Sequence, residues 1–174
     1  MPAMRSLLAL SMFLLAAVLP IAPARGDILR VGLEGGVMGP GFVGGSMTGP
    51  VGLATARIGL GGRMALSGGA GMLRLNPEVG DPTTAAFVPV TLQLRLDVAS
   101  ITPYIGAGAS WVHVFSKDLN GAPDSLSALV EAGLDVPLAP FLAAGLHLMY
   151  GGLGATSASF GASTLITAGL SIGI

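Results

Sequence analysis

The feature that most limits the fold of this chain is a strict two-residue alternation of apolar and polar side chains. In VTLQLRLDV, residues 90–98, aliphatic residues alternate with Thr91, Gln93, Arg95 and Asp97. Successive side chains of a β-strand point to opposite faces, so this period predicts a strand with one apolar and one polar face. Segments of this kind lie near residues 28–38, 51–60, 63–73, 90–98, 103–115, 128–136, 142–149 and 163–174. Alternating segments of roughly ten residues are typical of transmembrane strands.

The connections between these segments alternate between long and short. The long ones are GPGFVGGSMTGP, NPEVGDPTTAA, SKDLNGAPDSLS and GGLGATSASFGAS, and the short ones are GG at 61, ASIT at 99 and PLAP at 137. An up-and-down barrel that inserts in one direction has short turns on the periplasmic side and longer loops outside. The sequence therefore predicts an all-β fold, an eight-stranded antiparallel up-and-down transmembrane β-barrel.

Composition indicates which face of the strands points inward. A soluble lipocalin-like barrel has the same period with its apolar face inside. Of the 174 residues, however, only 10% are charged, against roughly 25% in an average soluble domain. Because so few charges cannot cover a water-facing surface, we expect the polar faces to line a narrow lumen. The predicted lumen charge network is Arg30, Glu34, Arg57, Arg95, Asp97, Glu131 and Asp135, with His147 as a further polar lumen residue.

Aromatic residues supply a second expectation about the barrel. Six of them fall at predicted strand ends, where interfacial girdles of membrane barrels lie. The predicted girdle consists of Phe87, Tyr104, Phe115, Phe141, Tyr150 and Phe160. Trp111 falls nearer the middle of its segment, PYIGAGASWVHVF, and the sequence does not distinguish the two faces of that segment.

The N-terminus has the pattern of a secretory signal peptide. Arg5 precedes an apolar run, and Ala22-Pro23-Ala24 forms an A-x-A cleavage site. The alternative is an uncleaved membrane anchor, but the run is shorter than the roughly 20 residues that a spanning helix needs. We therefore expect residues 1–24 to be a cleaved signal peptide and residues 25–174 to be an outer-membrane β-barrel domain.

Several classes of function are disfavoured by residue usage. The chain has no Cys, so it forms no disulfide, thiolate metal site or lipidated cysteine. Its two His lack a His-x-His pair, so neither indicates a metal site. The glycine-rich stretches are not followed by a strand-loop-helix pattern, and no nucleotide or other cofactor is expected. A net charge of −1 gives no electrostatic reason to expect nucleic-acid binding.

The chain resembles a known family. A signal peptide followed by an eight-stranded pattern, with VPVTLQLRLDV, ASITPYIGAGASWVHVF and a closing STLITAGLSIGI, is similar to the small outer-membrane β-barrel proteins of Gram-negative bacteria. The OmpW-like and OmpX-like branch is nearest. The resemblance implies an outer-membrane location, contact with outer-membrane lipids and insertion by the barrel-assembly machinery. Such chains usually end in Phe, which this machinery reads, whereas this chain ends in Ile174.

The function expected from these patterns is non-enzymatic. One possibility is a narrow passage for small hydrophobic molecules, as the resemblance to OmpW-like proteins implies, and the other is an envelope structural protein. Two alternatives remain open: an adhesion or surface protein that acts through its loops, and a lipid-modifying enzyme of the lipid A deacylase or acyltransferase type. The enzyme would need His147 or His113 beside a serine, such as Ser157 or Ser159, and an acid to orient the histidine.

The inward charges themselves have two possible roles. They could form a gate in a narrow pore, but we favour a structural network of ion pairs that plugs the lumen. Arg95 and Asp97 lie two residues apart on one face, so each can pair across the barrel. The expected partners are Glu131 or Asp135 for Arg95, and Arg57 or Arg30 for Asp97.

Overall fold

The computed structural model describes residues 29–40, 48–76, 82–96, 98, 100–115, 124–152 and 162–173. They form a closed barrel in which each strand pairs antiparallel with its neighbours in chain order. The strands are β1 (Leu29–Pro40), β2 (Gly49–Gly61), β3 (Met64–Leu75), β4 (Thr83–Arg95), β5 (Thr102–Val114), β6 (Ser125–Ala139), β7 (Leu142–Gly152) and β8 (Ala162–Gly173). The predicted fold class is confirmed. The proposed signal peptide lies outside the described residues.

In the part of the chain that the structure describes, no helix has the length and apolar character to span a bilayer.

The barrel closes with a stagger along the strands. Tracing direct partners from Gly173 in β8 through β1 and around the wall leads back to Ser163, ten residues earlier in the same strand. Such a stagger tilts the strands relative to the barrel axis, and with eight strands the interior is just wide enough for side chains to fill. The lumen is therefore a packed interior rather than a wide channel.

The strand bounds differ from the predicted ones by up to seven residues, and β4 and β6 differ most. β4 begins at Thr83, within a stretch that was predicted to be loop, because Thr-Thr-Ala-Ala offers no contrast between its two faces. β6 extends beyond its predicted segment at both ends. At the short turn between β2 and β3, Gly61 and Gly62 have φ angles of 96° and 60°, in the left-handed region that glycine adopts without steric cost.

The outer surface of the barrel is apolar. In β4, Val90 and Leu92 are exposed while Thr91 and Gln93 are buried. Leu33 in β1 and Leu126 in β6 are the extreme cases, with 73% and 77% of their surface exposed. This arrangement is the inverse of a soluble barrel, whose apolar face is inside, and it fits a wall that contacts hydrocarbon.

The interior consists of two layers. The apolar layer lies toward the long connections and comprises Met38, Val51, Leu53, Leu73, Ala85, Phe87, Val112, Leu129, Met149 and Leu165. The polar layer lies toward the short turns and contains Glu34, Arg57, Thr91, Gln93, Glu131, Asp135, His147 and Thr167, all of them buried. All eight strands contribute to the apolar layer, and six of them, β1, β2, β4, β6, β7 and β8, contribute the listed residues of the polar layer.

Candidate functional site

The centre of the polar layer is a carboxylate between two guanidinium groups. Asp135 in β6 is only 3% exposed. Its Oδ2 accepts a hydrogen bond from Nη1 of Arg57 in β2 and another from Nη2 of Arg95 in β4, the latter at 3.2 Å. Charge-assisted hydrogen bonds of this kind are stronger than neutral ones. The three residues thus connect three strands that are not neighbours in the wall.

His147 in β7 connects this cluster to a second carboxylate. Its Nδ1 lies 3.1 Å from Oε1 of Glu34 in β1, and its Nε2 lies 3.7 Å from Oδ1 of Asp135. The other oxygen of Glu34 accepts a hydrogen bond from Oγ1 of Thr167 in β8 at 2.7 Å. The imidazole is therefore held between two acids, and the network extends across the closure of the barrel between β8 and β1.

Glu131 is held differently from the other two acids. Its Oε1 accepts hydrogen bonds from Oγ1 of Thr91 at 2.6 Å and from Nε2 of Gln93 at 2.5 Å. Both donors are neutral side chains on β4, and Glu131 itself is 7% exposed. A buried carboxylate needs such donors because removing it from water is costly.

Tyr104 in β5 packs into the same layer and is 3% exposed. Its ring meets the His147 ring edge-on, with centroids 5.5 Å apart at 86°. The Arg57 guanidinium carbon lies 4.8 Å from the Tyr104 ring centroid, which is the geometry of a cation–π contact. Gly133, the direct partner of Tyr104 in β6, makes room for the ring, since a Cβ at Gly133 would overlap it.

We expect Gly133→Ala to destabilise the barrel by about 1–3 kcal/mol, the usual effect of overpacking. The added methyl group would displace Tyr104 from His147 and Arg57. The measurement is urea-induced unfolding of the refolded protein in lipid vesicles. Gly52→Ala is the matched control because a Cβ there meets nothing within 4 Å, and it should leave stability nearly unchanged. Equal effects of the two substitutions would contradict this explanation.

The structure places the remaining predicted lumen charges as follows. Arg95 is partly buried and contributes to the network described above. Arg30 is also partly buried, and it lines a small cavity together with Glu34, Arg57 and His147. Asp97 lies outside the described residues.

Little free space is left between these charges. The cavity beside Arg30 has a volume of about 20 Å³, which is room for about one water molecule. The polar layer is therefore filled mainly by its own side chains.

Two of the predicted girdle residues are not in the girdle. Phe87 is fully buried in the apolar layer, and Tyr104 is buried in the polar layer. Phe87 lies inside because β4 begins earlier than predicted, and residue 87 has the same inward parity as Thr91. Tyr104 lies inside because the even-numbered residues of β5 point inward. Phe115 and Phe141 are exposed, Tyr150 is partly buried, and Phe160 lies outside the described residues.

The outward face of β5 also accounts for Trp111. Trp111, His113 and Phe115 share that face at the end near a long connection. The Trp111 and His113 rings stack with centroids 5.8 Å apart, and the Phe115 ring meets His113 edge-on at 4.8 Å. His113 Nδ1 lies 2.6 Å from Oδ1 of Asp124. Sequence reasoning missed this cluster, although the i, i+2, i+4 spacing of the three rings was a signal for it.

Both histidines contact acidic side chains in the described part of the chain. Carboxylates of Glu34 and Asp135 flank the imidazole of His147, and a carboxylate binds His113. Ser157 and Ser159 lie outside the described residues. Among the residues that the structure describes, no group of three or more His, Cys, Asp or Glu side chains is arranged to hold a metal ion.

Several solved structures resemble this chain over most of its length. The Neisserial surface protein A matches with a TM-score of 0.64 and 14% identity, covering 84% of this chain and 96% of that one. The N-terminal β-barrel domain of Pseudomonas aeruginosa OprF matches with a TM-score of 0.61 and 13% identity, covering 86% and 100%. No protein-family model matches the sequence, and no curated protein matches it. The likeness establishes the barrel fold.

Proposed function

We propose that the protein is a non-enzymatic β-barrel of the Gram-negative outer membrane that acts as a closed structural or surface protein. The observation that carries the proposal is the filled lumen. Across the apolar layer, Phe87 is 0% exposed, Leu73 and Leu165 are 1% exposed, and Met38 and Met149 are 2% exposed. A layer packed in this way leaves no path along the barrel axis for a solute.

The location follows from the outer surface. Exposed aliphatic side chains cover the wall, and the charged residues of the strands are collected in the polar layer or at strand ends. Contact between the aliphatic side chains and lipid is favourable, whereas an Arg or Lys facing lipid at the bilayer midplane would cost roughly 2–4 kcal/mol. Outer-membrane lipids are thus the proposed contacts of the wall, and the barrel-assembly machinery is the proposed route of insertion.

A surface role is favoured over a passage through the lumen. One similar structure is named a surface protein, and another, with a TM-score of 0.50, is named the attachment invasion locus protein of Yersinia pestis. A passage for small hydrophobic molecules, which the resemblance to OmpW-like proteins implies, needs either a continuous lumen or a lateral opening between strands. The apolar layer interrupts the first of these routes. The long connections, which lie largely outside the described residues, are the proposed site of surface function.

The closed lumen is tested by planar-bilayer recording of the refolded mature chain. We expect no discrete conductance steps, because the apolar layer excludes water and ions. A sixteen-stranded porin in the same bilayer serves as the positive control for sensitivity, since barrels of roughly 16–18 strands leave an aqueous channel. Steps in the wild-type protein that change when Arg57 or Arg95 is replaced by alanine would contradict the proposal, since those residues would then line a conducting path.

A further inference from the structure

The pairing of β3 with β4 is interrupted in the middle of the two strands. Direct partners run from Met64 to Gly68 and resume from Gly71 to Leu75 in the same register, but Gly69 and Ala70 are not paired with β4. Register shifts in other strand pairs, at residues 59–61 and 137–139, lie next to turns. The interruption between β3 and β4 is therefore different in kind. We call residues 68–71 of β3 and 87–90 of β4 the seam.

Pro89 explains the interruption. The register places it opposite Gly69. At the turn end of the same ladder the Arg95 N–H donates to the Arg63 carbonyl, so these two residues form a hydrogen-bonded pair, six positions along the ladder from Gly69 and Pro89. Because hydrogen-bonded and non-hydrogen-bonded pairs alternate in an antiparallel ladder, the residues at 69 and 89 belong to the hydrogen-bonded set. Proline has no N–H. The Gly69 carbonyl thus lacks the donor that a residue other than proline would supply. The pairing of Ala70 with Val88, next along the ladder, is lost with the same hydrogen bond.

The seam lies where an unmade backbone hydrogen bond has the largest consequence. Ala70 is exposed on the outer face, between the exposed side chains of Leu66 and Met72. In the hydrocarbon region there is no water to bond a free carbonyl, and each unsatisfied group costs several kcal/mol. On the inner side, a small cavity of about 10 Å³ touches Pro89, Gly68 and the polar layer. That space is close to the minimum for one water molecule.

We propose that the seam is a built-in point of local opening in the barrel wall. A water molecule from the polar layer bonds to the Gly69 carbonyl, and β3 separates from β4 at the seam more readily than any other neighbouring strands separate at mid-height. The proposal does not depend on a surface role, since a closed barrel of any function would have the same seam.

Hydrogen–deuterium exchange of the refolded protein in detergent micelles, read by NMR, tests this proposal. We expect the amides of Gly69 and Gly71 to exchange at least about tenfold faster than those of Gly106 and Gly108 in β5, whose pairing is continuous. Pro89→Ala restores a donor opposite Gly69 and should remove most of that difference. Pro103→Ala at the start of β5 is the matched control and should leave the seam amides unchanged.

A disulfide supplies a test that does not require changing Pro89. The chain has no cysteine, so Gly68→Cys with Val90→Cys adds a single pair at directly opposed positions, a separation that a disulfide can span. Oxidation should slow the exchange of Gly69 and Gly71 relative to the reduced form of the same protein. The proposal is overturned if these amides are as protected as those of β5 in the wild type, or if neither change slows them. Neither result bears on conductance, so the two proposals fail separately.

Discussion

Asp135→Ala is expected to lower the free energy of unfolding by about 3–5 kcal/mol, the usual effect of removing one partner of a buried ion pair. The reason is that two guanidinium groups, those of Arg57 and Arg95, share one oxygen of this carboxylate. Without the acid they would face each other inside the barrel. Urea-induced unfolding in lipid vesicles, followed by the mobility shift of the unheated protein on gels, measures the change.

Glu131→Gln is the matched control for this prediction. Glu131 is on the same strand and similarly buried, but its hydrogen bonds come from the neutral donors Thr91 and Gln93. The amide oxygen of glutamine can accept the same two bonds, so we expect a loss below about 1 kcal/mol. If Asp135→Ala costs no more than Glu131→Gln, the ion pairs do not hold the polar layer together.

The outline of the fold could be predicted because apolar and polar residues alternate in the sequence wherever the two faces of a strand differ in polarity. Thr91 and Gln93 are buried and Val90 and Leu92 are exposed, as the pattern in residues 90–98 predicts. The same parity, continued back to residue 87, places Phe87 inside. The girdle assignment instead used the nearness of Phe87 to a predicted strand start at Val90, but β4 begins seven residues earlier, at Thr83.

The interior of β5 could not be predicted in the same way. Between Tyr104 and Val112 the inward face of this strand has only Gly and Ser, and the outward face has two Ala between Ile105 and Trp111. Because small residues occupy the middle of both faces, the sequence carries little contrast in polarity there. The inward position of Tyr104 depends on its direct partner Gly133 in β6, which leaves space for a ring. Such complementarity between strands is invisible in the pattern of a single segment.

The ion-pair and hydrogen-bond partners within the polar layer could be predicted only in part from the sequence. The inward faces indicated which charges share the lumen, and Arg95 was expected to meet Glu131 or Asp135. Which side chains meet depends on their heights in tilted strands, and the ten-residue stagger that sets those heights appears only when the barrel closes. The position of His147 between Glu34 and Asp135 is a consequence of that closure.

The two interior layers have different roles in this barrel. The polar layer specifies which strands oppose one another, because a charge that misses its partner remains buried and unpaired. The apolar layer has no such directional requirement and excludes water by packing. The polar layer leaves room for only about one water molecule, but its charged side chains favour hydration, so exclusion of water along the axis depends on the side chains at the loop end.

Phe87→Ala is therefore expected to have an effect as large as the loss of Asp135. Phe87 is fully buried and belongs to the apolar layer, to which all eight strands contribute. Truncating a buried Phe to Ala typically costs about 3–5 kcal/mol, because the lost contacts are accompanied by a cavity that the surroundings fill only in part. Urea-induced unfolding in vesicles would detect this change as a lower transition midpoint.

Phe87→Leu is the control that separates packing from closure. Leucine keeps an apolar side chain at the site, and we expect a smaller loss, about 1–1.5 kcal/mol, with the lumen still closed to ions. Phe87→Ala should in addition give intermittent conductance in a planar bilayer, since the remaining cavity adjoins the polar layer. A loss below about 1 kcal/mol for Phe87→Ala would mean that the layer collapses around the cavity, as sites able to relax do. Closure of the lumen would then depend on the apolar layer as a whole rather than on the Phe87 ring.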